Sequence, residues 1–175
     1  MFGDPKWSVT LLSSICELKA GKFISAADIK AANGDGLFPC YGGNGLRGYV
    51  NKFTHDGCYS LIGRQGALCG NVKYVEGKFY ATEHAVVVRP IEILDSLWLS
   101  FFLREQDFNK LATGAAQPGI AVEMLNRVDV SLPPLQLQNR FADFVRHVDK
   151  SKFEVQRGLK KMELLRDSLM QQYFG

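Results

Sequence analysis

Four side chains that can form forked hydrogen bonds lie within or beside glycine-rich stretches. Asn44 and Arg47 belong to GDGLFPCYGGNGLRGYV, and Arg64 and Gln65 belong to SLIGRQGALCGNV. Arg bonds guanine through two N–H groups, and Asn or Gln forms a similar pair with adenine. Glycine lets a backbone approach a ligand closely. These residue types fit the recognition of base edges, although glycine-rich turns are more often turns without a binding role.

Basic residues are concentrated in two parts of the chain. Before residue 92 there are ten Lys/Arg against seven Asp/Glu, from 92 to 134 three against six, and after 134 eight against five. The net charge of +3 is compatible with phosphate contacts but is far from that of a polybasic tail. Exposed lysines more often form only a solvated surface. The candidates for phosphate contacts in the first part are Lys22, Lys52, Lys73 and Lys78.

Motifs for catalysis and for metal binding are missing from the sequence. There is no Cys-x-x-Cys pair, no His-Glu-x-x-His and no Gly-x-x-x-x-Gly-Lys-Ser/Thr loop. A thiol hydrolase built on Cys69 and His84 is a remote alternative, because no third group that would orient the histidine is evident. We therefore expect no catalytic residue, no metal and no cofactor in this chain. The four cysteines, expected as free thiols, are Cys16, Cys40, Cys58 and Cys69.

Short apolar segments bounded by glycine or proline occupy the first part of the chain. CYSLIG, GNVKYV and AVVVRP have the composition and length of strands. A helix capped by Asp95 or Ser96 interrupts them and is expected to end before Gly114. A shorter helix over Ala121 to Leu125 and an edge strand in RVDVSL follow. The pattern predicts a mixed α/β (α+β) globular domain. The apolar face of the longer helix comprises Leu97, Trp98, Phe101, Phe102, Phe108 and Leu111.

An apolar residue recurs at spacings of four and three after the proline pair at 133–134. No proline follows, and nearly forty helical residues would extend about 60 Å. A domain of this size has no room to bury such a stripe along its whole length, so a coiled coil is predicted. An amphipathic helix folded against its own domain is the alternative. Lys152 and Arg166 interrupt the stripe, and Gly158 weakens the helix. The stripe comprises Phe141, Val145, Val148, Val155, Leu159, Met162, Leu169 and Tyr173.

Several segments follow one another as they do in a known family. The run GIAVEMLNRVDVSLPPLQLQNRFADFVRHVDK is similar to the part of Type I restriction specificity subunits that leads into their conserved spacer helix. The two glycine-rich segments and FYATEHAVVVRP resemble recurrent elements of the family's target-recognition domain. TGAAQPGI resembles its Gly-x-x-Gln-Pro element, and the opening FGDP resembles the segment that joins one repeat to the next. The resemblance covers essentially the whole chain.

This resemblance implies a DNA target-recognition domain over residues 1–132 and a conserved spacer helix over 133–175. A full subunit of the family has two such halves, and each recognition domain reads half of a split site in double-stranded DNA. The subunit binds methyltransferase subunits, which restriction subunits join. S-adenosylmethionine, ATP and magnesium are then expected on the partners only. With no membrane segment and no signal peptide evident, we expect a cytoplasmic protein.

By residue type and glycine-rich setting, the first candidates for base contacts are Asn44, Arg47, Arg64 and Gln65. The resemblance changes the expectation for one of them. Arg64 is expected to be structural or bound to phosphate, because the family shares the GRQG element among members that read different sequences. The spacer helix pairs either with a second copy in a homodimer or with a second repeat. A regulatory or silent half-subunit, which binds the methyltransferase without useful DNA specificity, stays open as an alternative.

Overall fold

A computed structural model describes residues 7–66, 68–114 and 118–174. The opening FGDP segment, Gln117 of the Gly-x-x-Gln-Pro element and the terminal Gly175 lie outside the described residues. The chain divides into two compact units, Met1–Gln138 and Asn139–Gly175. Among the described helices, none has the length and apolar character that crossing a membrane requires. The class expected from the sequence, a mixed α/β domain followed by one long helix, is confirmed.

The first unit contains two sheets. β1 (Ser8–Leu11) pairs antiparallel with β8 (Asp129–Leu132). Among the described residues the larger sheet has six strands in the order β2-β7-β5-β6-β3-β4, of which only the neighbours β3 and β6 run parallel to each other. Its strands are β2 (Cys16–Ala20), β3 (Phe38–Gly42), β4 (Gly45–Val50), β5 (His55–Gly63), β6 (Val72–Ala81) and β7 (Ala85–Pro90).

The strands of the larger sheet form because their apolar residues pack on one another. Leu61, Val75, Phe79 and Val87 are buried in one cluster, which joins β5, β6 and β7. A second cluster, around Tyr80, joins β3, β4 and β6 to the segment that follows β2. Both clusters draw residues from segments far apart in sequence, so the loops at the strand ends are held in fixed positions by the packing.

Four helices complete the element order. These are α1 (Leu12–Ile15), α2 (Ser96–Glu105), α3 (Val122–Asn126) and α4 (Leu135–Phe174), with 3₁₀ turns at Ala26–Asp28 and Phe108–Leu111. Asp95 caps α2 as predicted, because its carboxylate accepts hydrogen bonds from the backbone N–H groups of Leu97 and Trp98.

The sequence analysis extended α2 too far. The helix ends at Glu105, and Phe108 and Leu111 lie in a separate 3₁₀ turn. Gln106 turns into extended backbone and donates its side-chain N–H to the carbonyl of Phe102, at 3.3 Å. This bond satisfies one of the carbonyls left open at the helix end, so the helix can stop there while Phe108 remains buried.

The first turn of α4 belongs to the first unit. Gln138 is 2% exposed, and its side-chain oxygen accepts from the backbone N–H of Asp95 at 2.9 Å. Its side-chain N–H donates to the carbonyl of Pro133, also at 2.9 Å. The division between units therefore falls after Gln138, a few residues beyond the boundary at 132 that the sequence suggested.

Within the second unit, α4 changes character along its length. Ala142 and Val145 are buried, whereas all residues from Asp149 to Phe174 except Gly158 are exposed. Side chains three residues apart on this helix form ion pairs, such as that between Arg146 and Asp143 at 3.0 Å.

Candidate DNA interface

Two glycines bring distant loops into backbone contact. A Cβ atom added to Gly63, at the end of β5, would lie 2.0 Å from the carbonyl oxygen of Gly43. A Cβ on Gly43, in the turn between β3 and β4, would lie 2.9 Å from the carbonyl oxygen of His84. Real Cβ atoms do not approach backbone so closely, so only glycine permits this crossing. The polar residues beside these glycines are thereby collected at one place.

Backbone hydrogen bonds hold the crossing together. The N–H of Arg64 donates to the carbonyl of His84 at 3.0 Å, and the carbonyl of Arg64 accepts from Ile120 at 2.9 Å. Gly63 donates to Asn71 at 2.9 Å, and Gly70 donates to Gly63 at 2.7 Å. We call this group the glycine-crossing site. Its members are Gly43, Asn44, Gly63, Arg64, Gln65, Asn71, Lys73, Glu83 and His84.

Two of the predicted base-contact residues are exposed in this site. Asn44 is exposed, and its side-chain oxygen accepts from the side-chain N–H of Asn71 at 3.4 Å. Gln65 is also exposed, and its side-chain oxygen contacts Nδ1 of His84. Each amide therefore has one end engaged and the other open to a ligand. Such groups are well placed to form one directed hydrogen bond to a base or a phosphate.

The two arginines differ in how they are placed. Arg64 is half-buried, and its Nε is buried with no hydrogen-bond partner. Arg47 is exposed on β4, and its stem lies above Gly42, where an added Cβ would be 2.6 Å from the arginine Cδ. A buried N–H without a partner lowers the stability of the fold, so an acceptor that reached the Nε of Arg64 would form a favourable hydrogen bond. The charged end of Arg47 remains free to reach a ligand.

Only one of the four candidate lysines lies beside the glycine crossing. Lys73 is exposed on β6, and its Cε would be 3.5 Å from a Cβ added to Gly45. A cleft of about 820 Å³ adjoins it, between the segment Leu68–Lys73 and the segment Arg104–Asn109. Side chains of both charges line this cleft, namely those of Lys73 and Arg104 and those of Glu105 and Asp107.

The other three lysines lie near aromatic side chains that are not members of the glycine-crossing site. The Nζ of Lys52 is 5.7 Å from the centre of the Tyr80 ring, and that of Lys78 is 5.0 Å from the Phe53 ring. Lys22 lies close enough to His55 to help lower the pKa of that imidazole, although burial is the main cause. All three are exposed. The structure therefore divides the eight candidates into two groups.

The sequence analysis selected none of His84, Glu83 and Asn71 as DNA-binding residues. His84 has Glu83 as a second partner, with Nε2 3.1 Å from the carboxylate oxygen. No sequence signal places His84 beside Gln65, nineteen residues away. Asn71 was missed because its hydrogen-bond partner Asn44 is twenty-seven residues away in sequence, and only the folded sheet brings the two side chains together.

Three of the four cysteines are buried, and Cys58 is exposed. Burial raises the pKa of the Cys16 thiol to about 12 and also raises the pKa of Cys40. Cys69 is buried with its thiol directed to Asn109 at 3.9 Å, while His84 contacts other partners. In the part of the chain that the structure describes, no group of three His, Cys, Asp or Glu side chains could hold a metal ion.

The second unit offers an apolar helix face. Five residues of the predicted stripe, from Val155 to Tyr173, are exposed, including Leu159 and Met162. Phe141 and Val148 are half-buried, and Val145 is only 7% exposed, so these three differ from the distal part. At the start of the exposed face the structure adds Phe144, which is 65% exposed. The sequence analysis also omitted Leu165 and Met170, which line a shallow apolar surface with Met162 and Leu169.

Comparison with known proteins identifies the family. The model of the type I restriction modification DNA specificity domain matches residues 5–164. The specificity subunit of the type I restriction enzyme EcoprrI from Escherichia coli is 44% identical over 128 residues, which are 73% of this chain and 32% of that protein. This chain therefore belongs to the type I restriction modification DNA specificity domain family.

Solved structures show the same fold. The S subunit of a type I restriction–modification system from M. genitalium aligns with a TM-score of 0.76 and 18% identity, covering 93% of this chain and 44% of that one. A chain from a study of complex assembly and conformational transition of the type I R-M system aligns with a TM-score of 0.66 and 21% identity, covering 98% and 45%. The chain thus spans less than half the length of each of these three relatives.

Proposed function

We propose that this chain is a DNA target-recognition unit, equivalent to one half of a type I specificity subunit. The observation that carries the proposal is the family match over residues 5–164, since this family is described as a DNA specificity domain. The first unit would read a short half-site in double-stranded DNA. Since its ligand would be DNA, it would act in the cytoplasm.

The glycine-crossing site supports DNA reading in physical terms. Its loops are fixed by backbone contacts, so the exposed amides of Asn44 and Gln65 would lose little freedom on binding. Arg47 and Lys73 add positive charge beside them. Lys22, Lys52 and Lys78 would contact the phosphate backbone and so set the register without reading sequence.

The helix α4 would pair with a second helix through its exposed apolar face. Isolated apolar side chains on a surface are ordinary, but a face that continues from Val155 to Tyr173 needs a partner. We propose a coiled coil with a second copy of this chain, or with a second repeat in a longer chain. Two copies related by a two-fold axis would read a split palindrome.

The chain would itself carry out no chemistry. Methyltransferase subunits would supply adenine methylation, with restriction subunits joined to them, and these partners would hold S-adenosylmethionine, ATP and magnesium. The described residues contain no metal-binding cluster, and the buried thiols lack a histidine partner. The chain's role would be to place a partner's active site at one sequence.

The test is the adenine methylome of the host with the gene intact, deleted, and restored on a plasmid. We expect one split motif to lose methylation on deletion and to regain it on restoration. A palindromic motif supports a homodimer, whereas an asymmetric motif supports pairing with a different repeat. If no motif depends on the gene while the partner methyltransferase is expressed, the proposal of DNA specificity is wrong and the regulatory half-subunit is favoured.

A further inference from the structure

The side chain of His84 lies between two groups with different hydrogen-bonding abilities. Its Nδ1 contacts the side-chain amide of Gln65, and its Nε2 is 3.1 Å from a carboxylate oxygen of Glu83. The backbone of His84 is fixed, because its carbonyl accepts from Arg64 and abuts Gly43. The ring therefore stays beside both partners when the loops are folded.

The carboxylate determines where the first ring proton resides. An ionised carboxylate only accepts hydrogen bonds, so Nε2 beside Glu83 must carry hydrogen. In the neutral ring Nδ1 is then bare and accepts, and the Gln65 amide must turn its NH₂ group toward it. In the doubly protonated ring Nδ1 donates, and the Gln65 amide must turn its oxygen toward it.

Gln65 consequently has only one end available for a ligand at a time. With its NH₂ turned to the histidine, the open end is a carbonyl, which accepts from cytosine N4 or adenine N6. With its oxygen turned to the histidine, the open end is an NH₂ group, which donates to guanine O6 or N7, to thymine O4 or to adenine N7. The exposed end of Gln65 is therefore an acceptor or a donor according to the state of His84.

We propose that His84 is a positioning residue for specificity, which determines through its proton which end of the Gln65 amide is presented to a DNA base. The inference rests on the proposed DNA-reading function and assigns one position of the half-site to Gln65. Glu83 sets the ring tautomer. The charged group beside the ring is the carboxylate of Glu83, on its own turn. Arg64 contacts His84 through its backbone N–H, and the hairpin turn at Gly43, which packs against the same carbonyl, carries the neutral Asn44.

The experiment selects bound duplexes from a library with a randomised block, using the full chain at pH 5.5 and at pH 8.0. Histidine side chains in general change charge within this range. We expect the same motif at both values except at one position, where the preference shifts about fivefold from C toward G or T at the lower pH; adenine, with both N6 and N7, fits either end of the amide. A shift of that size corresponds to one hydrogen bond gained or lost.

Variants separate positioning from a structural role. His84→Gln should recover one motif that no longer depends on pH, and Glu83→Gln should reduce the pH difference by freeing the ring tautomer. Gln65→Ala should lose the preference at that position at both pH values while the other positions are retained. The control His147→Gln removes an exposed histidine of α4, whose Nδ1 contacts the carbonyl of Asp143, and should keep the wild-type shift.

The outcomes are distinguishable. A wild-type motif that is identical at both pH values overturns the role of His84 and leaves DNA recognition standing. A pH shift that survives in His84→Gln also overturns it. If no motif is selected at either pH, the proposed DNA-reading function fails, and the inference fails with it.

Discussion

The glycine-crossing site and the distal half of α4 are organised in opposite ways. The site is assembled from segments up to forty-one residues apart, such as Gly43 and His84, and it requires backbone contact at two glycines. The helix is determined by neighbours three and four residues apart, and its apolar face is left exposed. The glycine-crossing site is therefore assembled within one chain, whereas the apolar face of α4 still needs a partner to cover it.

The largest effect is expected on α4. The double change Leu159→Glu and Met162→Glu places two charges on the exposed face, and we expect association to weaken by more than a hundredfold. Each buried side chain of this size contributes about 1.5–3 kcal/mol. Sedimentation velocity over a concentration series measures the effect. Gln156→Glu, an exposed position off the stripe, is the control and should associate like the wild type. Unchanged association of the double variant would exclude this face as the interface.

The next effect tests the crossing itself. Gly63→Ala would place a Cβ 2.0 Å from the carbonyl oxygen of Gly43, so backbone must move. We expect a loss of about 3 kcal/mol in the free energy of unfolding, at the upper end for overpacked sites. Gly34→Ala, whose Cβ would meet only Leu37 at 3.5 Å, serves as the matched control. Urea unfolding of the two variants compares them, and equal midpoints would show that the crossing is not tight.

A smaller loss is expected where the two regions meet in sequence. Gln138→Ala removes the donor to the buried carbonyl of Pro133 and the side-chain oxygen that accepts from the part-buried backbone N–H of Asp95. An unsatisfied buried group costs about 1–3 kcal/mol, and we expect about 2 kcal/mol here. Thermal unfolding of Gln138→Ala and of the exposed control Gln136→Ala gives the difference. If both variants melt together, the first turn of α4 is not held by Gln138.

The smallest effect has the opposite sign. Gly158 is in the exposed part of α4, and a Cβ added there meets nothing within 4 Å. Gly158→Ala should therefore stabilise the helix by about 1 kcal/mol, because alanine loses less backbone entropy. Helix content by circular dichroism during heating is the measurement. A decrease would mean that the small side chain at 158 is needed by a partner that packs closely against the helix.

Much of the fold could be predicted because it depends on local patterns. The predicted strands CYSLIG and AVVVRP lie within β5 and β7, and GNVKYV overlaps β6, which begins two residues later, at Val72. The Asp95 cap and the helix after the proline pair are confirmed. The pairing of β1 with β8 in a separate sheet could not be predicted, since the two strands are more than a hundred residues apart. The end of α2 depended on a side-chain bond from Gln106.

The sequence predicted which residue types could contact DNA but not which residues would be their hydrogen-bond partners. Asn44 and Gln65 are exposed at one site, as DNA contacts require, yet nothing local shows that Asn71 and His84 are their partners. The roles of the eight DNA-contact candidates remain predictions.

The sequence by itself determined the strands β5, β6 and β7, the Asp95 cap, the long helix and its apolar stripe, because these follow from backbone geometry and from spacings of two, three or four residues. Only the tertiary structure decided that Gly43 crosses Gly63 and that His84 lies between Gln65 and Glu83. These facts depend on which distant segments pack together, and packing is a property of the whole chain rather than of any short stretch.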